Sequence, residues 1–303
     1  MSLIESVDLV MWTKNGSQTL PRVLKRISEV IPEEFVGNRI IVDDRSTDNT
    51  REIAVSFGWQ VIFNEGSGIS DGANTALKQV TSEHFISCEQ DLLLARDWWH
   101  KIPPLLENAK VAAASGMRFA DKPRGIKKLQ QYVAKKYRGE SNLASWLRSR
   151  QMAAFTLGKT LDNTIYITGV IKALGGFPKM PVNAGVDTIL AYKLNLAGYR
   201  WRVDYNVQSV HLRKGLRQEL RHQYWYGTQL YAIWRRIETE TSHSPPVTKF
   251  GIIYRLFTSP FTGLFVAVKT REPTIVYIHP LVRFYYMKGL LEASKFAKKP
   301  NRH

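Results

Sequence analysis

Carboxylates gather in two short runs of the chain, and each follows a stretch of apolar, β-favouring residues. In Ile40-Ile41-Val42-Asp43-Asp44-Arg45-Ser46-Thr47-Asp48, two adjacent acids end an apolar run just ahead of Ser and Thr residues suited to cap a helix. A carboxylate at such a strand end can accept hydrogen bonds from a base N–H or a ribose hydroxyl. Taken alone, the run also fits a helix N-terminus with acids favoured by the dipole. The second run, Ser87-Cys88-Glu89-Gln90-Asp91, separates Glu89 and Asp91 by one residue. At a strand end that spacing lets one oxygen reach a hard divalent cation while the other acts directly or through water. Mg²⁺ and Mn²⁺ prefer such oxygens and share them with substrate phosphates.

Two later positions extend the set. Asp187 opens a helical pattern, where an acid serves as a dipole residue or, if it faces the carboxyl edge of a sheet, as a general base. His211 is followed by Arg213, Lys214, Arg217 and Arg221, a grouping able to bind phosphates or a metal. Gly66-Ser67-Gly68-Ile69-Ser70-Asp71-Gly72 misses the dinucleotide-binding spacing by one residue, and no GxxxxGK[ST] occurs. Dinucleotide and P-loop readings are therefore poor.

The elements that must position these residues alternate. Strand-like runs at 7–12, 39–42, 59–63, 85–88 and 111–114 are separated by helical patterns at 20–30, 48–57 and 74–80. This alternation predicts an α/β fold, a mainly parallel sheet with helices on both faces and ligands at the strands' carboxyl ends. A loop and surface helix are expected over 121–150, a helix over 185–197 and a short strand at 201–203. No internal repeat is visible.

Composition adds limits. Apolar residues at 44% and charged residues at 23% exclude disordered and fibrous classes. The single cysteine, Cys88, rules out an intrachain disulfide and a cysteine-based zinc cluster and fits a reducing compartment. Residues 1–12 lack the pattern of a signal peptide. Net charge is +17 but uneven: −5 over 1–121, +8 over 122–150, +2 over 151–199 and +12 over 200–303. The basic parts suit a nucleic acid, an anionic membrane surface or phosphorylated substrates. Residues 250–268 are strongly apolar and aromatic, but Arg255 and Ser259-Pro260 interrupt a run that barely reaches spanning length. A second aromatic segment follows Pro280. A pair of helices covering the core is one reading; a surface dipping aromatics into lipid beneath basic headgroup contacts is the favoured one.

The order of these motifs resembles the family 2 glycosyltransferases: TKN after the first strand, IIVDDRSTDNT, NEGSGISDGANTAL, ISCEQD, GGFP and GVDTILAYKLNLAGYRWRVD. The resemblance covers about residues 6–215 and implies an inverting, nucleotide-sugar-dependent enzyme with the A-type glycosyltransferase fold. It implies a catalytic domain over 1–215, and the apolar, aromatic and basic residues beyond it are expected to form a membrane-associating helical tail over 216–303. Thr13 and Asn15 would flank the nucleotide, Asp43 and Asp44 hold base and ribose, and Asn74 stand beside the donor. Glu89 and Asp91 occupy the Asp-x-Asp position, with Asp91 and His211 at a Mg²⁺ or Mn²⁺ ion. Asp187 aligns with the catalytic base, and Arg213, Lys214 and Arg217 would meet an acceptor phosphate or diphosphate. Three departures stand out: Glu89 for the usual Asp, Val186 for a Glu, and Ala73 for an Arg.

The expected reaction moves a hexose from a UDP- or GDP-linked donor to a polyprenyl phosphate or lipid-linked saccharide. It would occur on the cytoplasmic side of the cell membrane, with the protein peripheral or monotopic and no nucleic acid as partner. Two other readings stand beside it. A single-stranded RNA binder would use the aromatics and cations of RHQYWYGTQLYAIWRR, but leaves the strand-end acids unexplained. A nucleotidyltransferase on a similar fold would also want metal and nucleotide.

Overall fold

The computed structural model describes residues 4–137, 157–213, 215–241 and 249–296. In chain order the strands are β1 Val7–Thr13, β2 Val36–Asp43, β3 Gln60–Phe63, β4 His84–Cys88, β5 Leu92–Leu93, β6 Val111–Ala120, β7 Thr164–Ile167 and β8 Arg200–His211. The helices are α1 Leu20–Val30, α2 Thr50–Ser56, α3 Gly68–Gln79, α4 Trp98–Lys101, α5 Arg124–Tyr137, α6 Thr168–Ala173, α7 Val186–Leu196, α8 Leu216–Thr241, α9 Lys249–Thr270 and α10 Ile275–Phe296.

One eight-stranded sheet runs β3-β2-β1-β4-β7-β6-β8-β5. Strands β3, β2, β1 and β4 are mutually parallel, so Thr13 pairs with Asp43, Asp43 with Phe63, and Met11 with Cys88. Their carboxyl ends thus lie along one edge, where open α/β sheets place ligands. β7 runs antiparallel to both β4 and β6, and β5 antiparallel to β8. The sheet is mixed, as an A-type fold requires.

Alternation of side chains across the pleat gives the sheet two apolar faces. Leu9 and Met11 of β1 join Leu20, Leu24, Ile27, Ala54 and Trp98, the inner faces of α1, α2 and α4. Val10 points the other way, toward Ala73 and Leu77 of α3, Ile189 and Leu190 of α7, Leu230 and Ile233 of α8, and Met287 and Leu290 of α10. Within that second layer, Tyr166 stacks on Phe85 with centroids 4.9 Å apart and meets Trp201 edge-on at 5.5 Å. The C-terminal helices therefore share a core with the sheet.

The expected elements differ from the observed ones where turn chemistry decides. The helix expected from 74 begins at Gly68, because Asp71 accepts Ser67 N–H at 3.1 Å and Asp44 accepts Gly68 N–H at 3.3 Å, closing the turn before it. The strand expected at 201–203 runs on to His211. It does so through a bulge: Gly116 pairs with Asp204, but the next residue, Met117, pairs with Gln208. A side chain at Gly116 would run into the Val207 carbonyl, so only glycine lets the bulge close against β6. The helix expected within 121–150 is α5; residues 138–150 lie outside the described residues.

Candidate active site

The first two βα loops are tied together before anything binds. Asn15, with φ +51°, accepts Thr47 N–H at 2.9 Å on Oδ1, while its own N–H donates to Ser46 Oγ at 2.8 Å. Gly16 N–H donates to Thr50 Oγ1 at 2.8 Å, and Ser17 N–H to Asp48 Oδ2 at 3.1 Å. Hydrogen bonds from Thr50 and Ser17 outweigh desolvation at Asp48 and hold its carboxyl down to about 2. Asp43 is buried; its Oδ2 accepts Ser46 N–H at 3.0 Å and its Oδ1 has no protein partner. Asp44 is partly open, 3.5 Å from Lys14 Nζ. Thr13 donates to Gln90 Oε1, which also accepts Lys14 N–H at 3.0 Å, so Gln90 anchors the 89–91 turn to β1.

The second cluster depends on the shortest strand. β5 pairs Leu92 with His211, and Leu212 N–H donates to the Asp91 carbonyl at 2.8 Å, which brings the turn after β4 to the end of β8. His211 Nε2 then lies 3.1 Å from Asp91 Oδ1 and 3.7 Å from Glu89 Oε2. One ligand atom from each of Glu89, Asp91 and His211 falls within 4.8 Å of the others. Two carboxylates and an imidazole in that compass suit a divalent cation such as Mn²⁺.

The electrostatics are unbalanced in a way that a cation would relieve. Burial, then Asp162 and Asp91, push Glu89 well above the usual carboxylate range against the pull of Arg118 and Arg213. Burial also acts to raise Asp91, but the hydrogen bond with His211 and the nearby cationic groups outweigh it and leave its carboxyl lowered. Arg118, near the carboxyl end of β6, reaches Glu89 at 3.0 Å and Asp162 at 2.8 Å through one Nη1. Burial works against the Arg118 charge, yet Asp162 and Glu89 overcome it and raise its pKa.

Asp187, on the first turn of α7, is raised by burial against the opposing charge of Arg118. Its Oδ1 accepts Thr188 N–H at 2.7 Å. Helix α8 covers this side. Burial, then the charges of Arg213, Arg118 and His211, drive His222 down to about 3. Burial and the Asp187 charge raise the Tyr226 phenol. His222 is therefore a neutral imidazole at this site.

The structure thus gathers Glu89, Asp91, His211 and Arg213 with Asp187 through Arg118, and places Thr13, Asn15, Asp43 and Asp44 along the neighbouring strand ends. Asn74 is committed elsewhere: its amide donates to Phe177 O at 2.8 Å and accepts Phe177 N–H at 2.9 Å, pinning the loop after α6. Arg217 is exposed at the start of α8, and Lys214 lies outside the described residues. Sequence reasoning missed Arg118, Asp162, His222 and Tyr226. A lone arginine inside the apolar run of β6 was the available signal for the first. Nothing local marks the others.

A family model described as Glycosyl transferase family 2 matches residues 8–168. A search of curated protein sequences returned no match. Among solved structures, the chain is similar to the mannosyltransferase PcManGT from Pyrobaculum calidifontis in complex with GDP-Man and Mn²⁺. The TM-score is 0.64 at 18% identity, covering 97% of this chain and 88% of that one. It is also similar to glucosyl-3-phosphoglycerate synthase from Mycobacterium tuberculosis in complex with Mn²⁺, UDP and glucosyl-3-phosphoglycerate, with TM-score 0.53, 16% identity and coverage of 76% and 80%. Mannosyl-3-phosphoglycerate synthase from Rubrobacter xylanophilus gives 0.53 at 17%, covering 80% of this chain and 77% of that one. The chain belongs to glycosyl transferase family 2.

Proposed function

We propose that this family 2 member is an inverting hexosyltransferase that takes its sugar from a UDP- or GDP-linked donor and passes it to a polyprenyl phosphate or lipid-linked saccharide. The observation that carries the reading is the convergence of Glu89, Asp91 and His211 at the carboxyl edge of the sheet, beside Asp43 and Asp44. The complexes of PcManGT with GDP-Man and Mn²⁺ and of glucosyl-3-phosphoglycerate synthase with UDP and Mn²⁺ support its donor and metal parts.

Roles follow from the surroundings of each group. The unpartnered Asp43 Oδ1 and the partly open Asp44 carboxylate are acceptors for donor-side N–H and O–H groups. Glu89, Asp91 and His211 would hold the divalent cation, which when bound supplies positive charge opposite the departing nucleoside diphosphate. Asp187, its basicity raised by burial, takes the proton of an acceptor hydroxyl as the acceptor oxygen bonds to the sugar C1 and the C1–O bond to the diphosphate breaks. An ionised phosphate acceptor brings no such proton, and Asp187 then orients the sugar. Arg213, beside the acid cluster and 3.9 Å from Glu219, would meet acceptor phosphate. The aromatic run of α8 does not favour the RNA reading: Leu230 and Ile233 are core residues, and Tyr226 stacks on Tyr286 at 6.1 Å rather than standing free.

The test is a thermal-shift series with UDP, GDP, CDP and dTDP, each with Mn²⁺ or EDTA, on wild type and Asp91→Ala. One nucleotide is expected to stabilise the protein only with Mn²⁺, and Asp91→Ala to abolish the shift. No shift with any nucleotide would refute the transferase reading.

A further inference from the structure

Helix α9 is apolar on two sides, and only one of them is used. Leu256, Ser259, Gly263, Val266 and Ala267 face inward toward α10 and α5. Outward stand Ile253, Tyr254, Phe257, Phe261, Leu264, Phe265 and Val268, with Phe257 73% and Val268 70% exposed. At about 100° per residue these seven fall within an arc of roughly 120°. Val276, Tyr277, Leu281 and Phe284 of α10 extend the exposed apolar surface. Together they present on the order of 1,000 Å² of apolar surface, about twice the largest patch usual on a soluble monomer.

Helix α9 is well formed despite its sequence. Pro260 removes the N–H that would have bonded the Leu256 carbonyl, and Ser259 Oγ donates to that carbonyl instead, at 2.8 Å. His279 Nδ1 meets the Ser259 carbonyl at 3.0 Å, fixing α10 against the same turn. The outward aromatics are therefore held on a supported scaffold.

Charge selects the occupant. Residues 249–296 contain seven Lys and Arg against two acids, Glu272 and Glu292. Glu272 is buried and bonded to Arg124 at 3.0 Å, and Glu292 accepts the Tyr224 hydroxyl. Arg255, Lys269, Arg271 and Lys288 are exposed. On the wheel, Thr258, Lys269, Thr262 and Arg255 lie beside the apolar arc, at about 140–200° from Ile253. Basic α5, which has no acid, packs against the other side of α9 and α10. Between α9 and α10 a groove of 210 Å³ is lined by Leu256, Phe284 and Leu291, with Lys288 and Glu292 among its walls. An aromatic stripe edged by cations, over an apolar groove with a lysine, is complementary to anionic headgroups above acyl chains. Among the described residues no helix is long and apolar enough to cross a membrane.

We propose that the outer faces of α9 and α10 dock this protein on an anionic lipid bilayer, with α9 lying in the plane of the interface and Phe257, Phe261 and Phe265 among the acyl chains. The surface is independent of the donor site, although it would bring a lipid-linked acceptor to the same molecule.

The test is flotation with phosphatidylcholine vesicles carrying one-third phosphatidylglycerol, and with phosphatidylcholine alone. The full chain is compared with the triple variant Phe257→Ser, Phe261→Ser, Phe265→Ser and with the double variant Arg255→Glu, Lys269→Glu. Wild type should float with the anionic vesicles, the triple variant should lose roughly tenfold or more of its bound fraction, and the double variant should lose the preference for anionic lipid. The Mn²⁺-dependent nucleotide shift, measured on each protein, reports the fold and donor site separately. Failure of wild type to float, or equal flotation of the triple variant, would overturn the proposal. So would wild-type self-association without vesicles that the triple variant abolishes, since a second copy would then be the occupant.

Discussion

Replacing Arg118 with methionine keeps most of the side chain's length and removes its charge. In the wild type its guanidinium joins Glu89 at 3.0 Å and Asp162 at 2.8 Å. Charge-assisted bonds of this kind contribute about 1.5–3 kcal/mol each, so the pair contributes about 3–6 kcal/mol if fully sheltered. The Arg118 side chain keeps 32% of its surface exposed, and solvent screening brings the expected loss to about 2–4 kcal/mol. For a chain of this size that lowers Tm by roughly 5–10 °C. The deficit should depend on metal. Without Arg118, Glu89 has lost its closest cationic partner, and a divalent cation bound by Glu89, Asp91 and His211 restores one. Differential scanning fluorimetry of both proteins, with EDTA and with saturating Mn²⁺, should show the gap between them narrowing in Mn²⁺. Removing a competing positive charge should also tighten Mn²⁺ binding by calorimetry. Equal deficits in EDTA and Mn²⁺, with unchanged Mn²⁺ affinity, would refute the idea that Arg118 and the cation share Glu89.

Three other perturbations test separate parts of the molecule. Asp187→Asn should lower kcat roughly 10²–10⁴-fold with a hydroxyl acceptor while leaving Mn²⁺-dependent nucleotide binding intact; loss of nucleotide binding in step would make Asp187 a structural residue. Lys159 is buried, and desolvation lowers its pKa from 10.5 to about 7. Between those values the unfolded chain carries a proton there that the folded one lacks, so this group makes stability rise with pH, by up to about 1.4 kcal/mol per unit. Below about pH 7 its full penalty persists. Urea melts across this range should show Lys159→Met more stable than wild type at pH 7, with the difference shrinking toward pH 10; a constant difference would contradict the depressed pKa. Gly289→Ala would force a Cβ into the Tyr224 carbonyl where α8 and α10 cross, and should cost about 1–3 kcal/mol or more by urea denaturation. Wild-type stability in that variant would mean the crossing is not backbone-to-backbone.

Legibility tracked the range of the interactions. Helix α1 carries a 3.6-residue apolar stripe and was read at its observed bounds, and the cores of β1 and β2 were visible as apolar runs. Asp43, Asp44, Glu89 and Asp91 stood out because each acid closes such a run. β7 and β5 were not legible: the first is four residues that derive their role from antiparallel pairing with β4 and β6, the second only two. The loss mattered, because β5 is what brings Asp91 to His211, 120 positions apart. Asn74 illustrates the converse. Its neighbourhood in sequence matches a donor-binding pattern, but the loop at Phe177 takes up its amide, and that partner lies 103 positions away.

The arrangement of charge is itself an argument about function. Glu89, Asp91, Asp162 and Asp187 act on one another or on Arg118, and Arg118 and Arg213 are the guanidiniums set against them. Arg213 also lies 3.9 Å from buried Glu219, so the acids of the cluster outnumber the guanidiniums that face them. A scaffold selected for stability alone gains nothing from that excess, since a buried acid without a partner is destabilising. The protein instead keeps Asp162 Oδ2 without a hydrogen-bond partner and Glu89 displaced toward its protonated form. A divalent cation would supply positive charge there, and the three groups close enough to share such an ion lie on the side of the cluster formed by β5 and β8. Arg118 is then the group that lets the cluster fold before the ion arrives. Its Nη1 bridges Glu89 and Asp162 at the expense of some metal affinity, which is why its removal should weaken the fold and strengthen Mn²⁺ binding together.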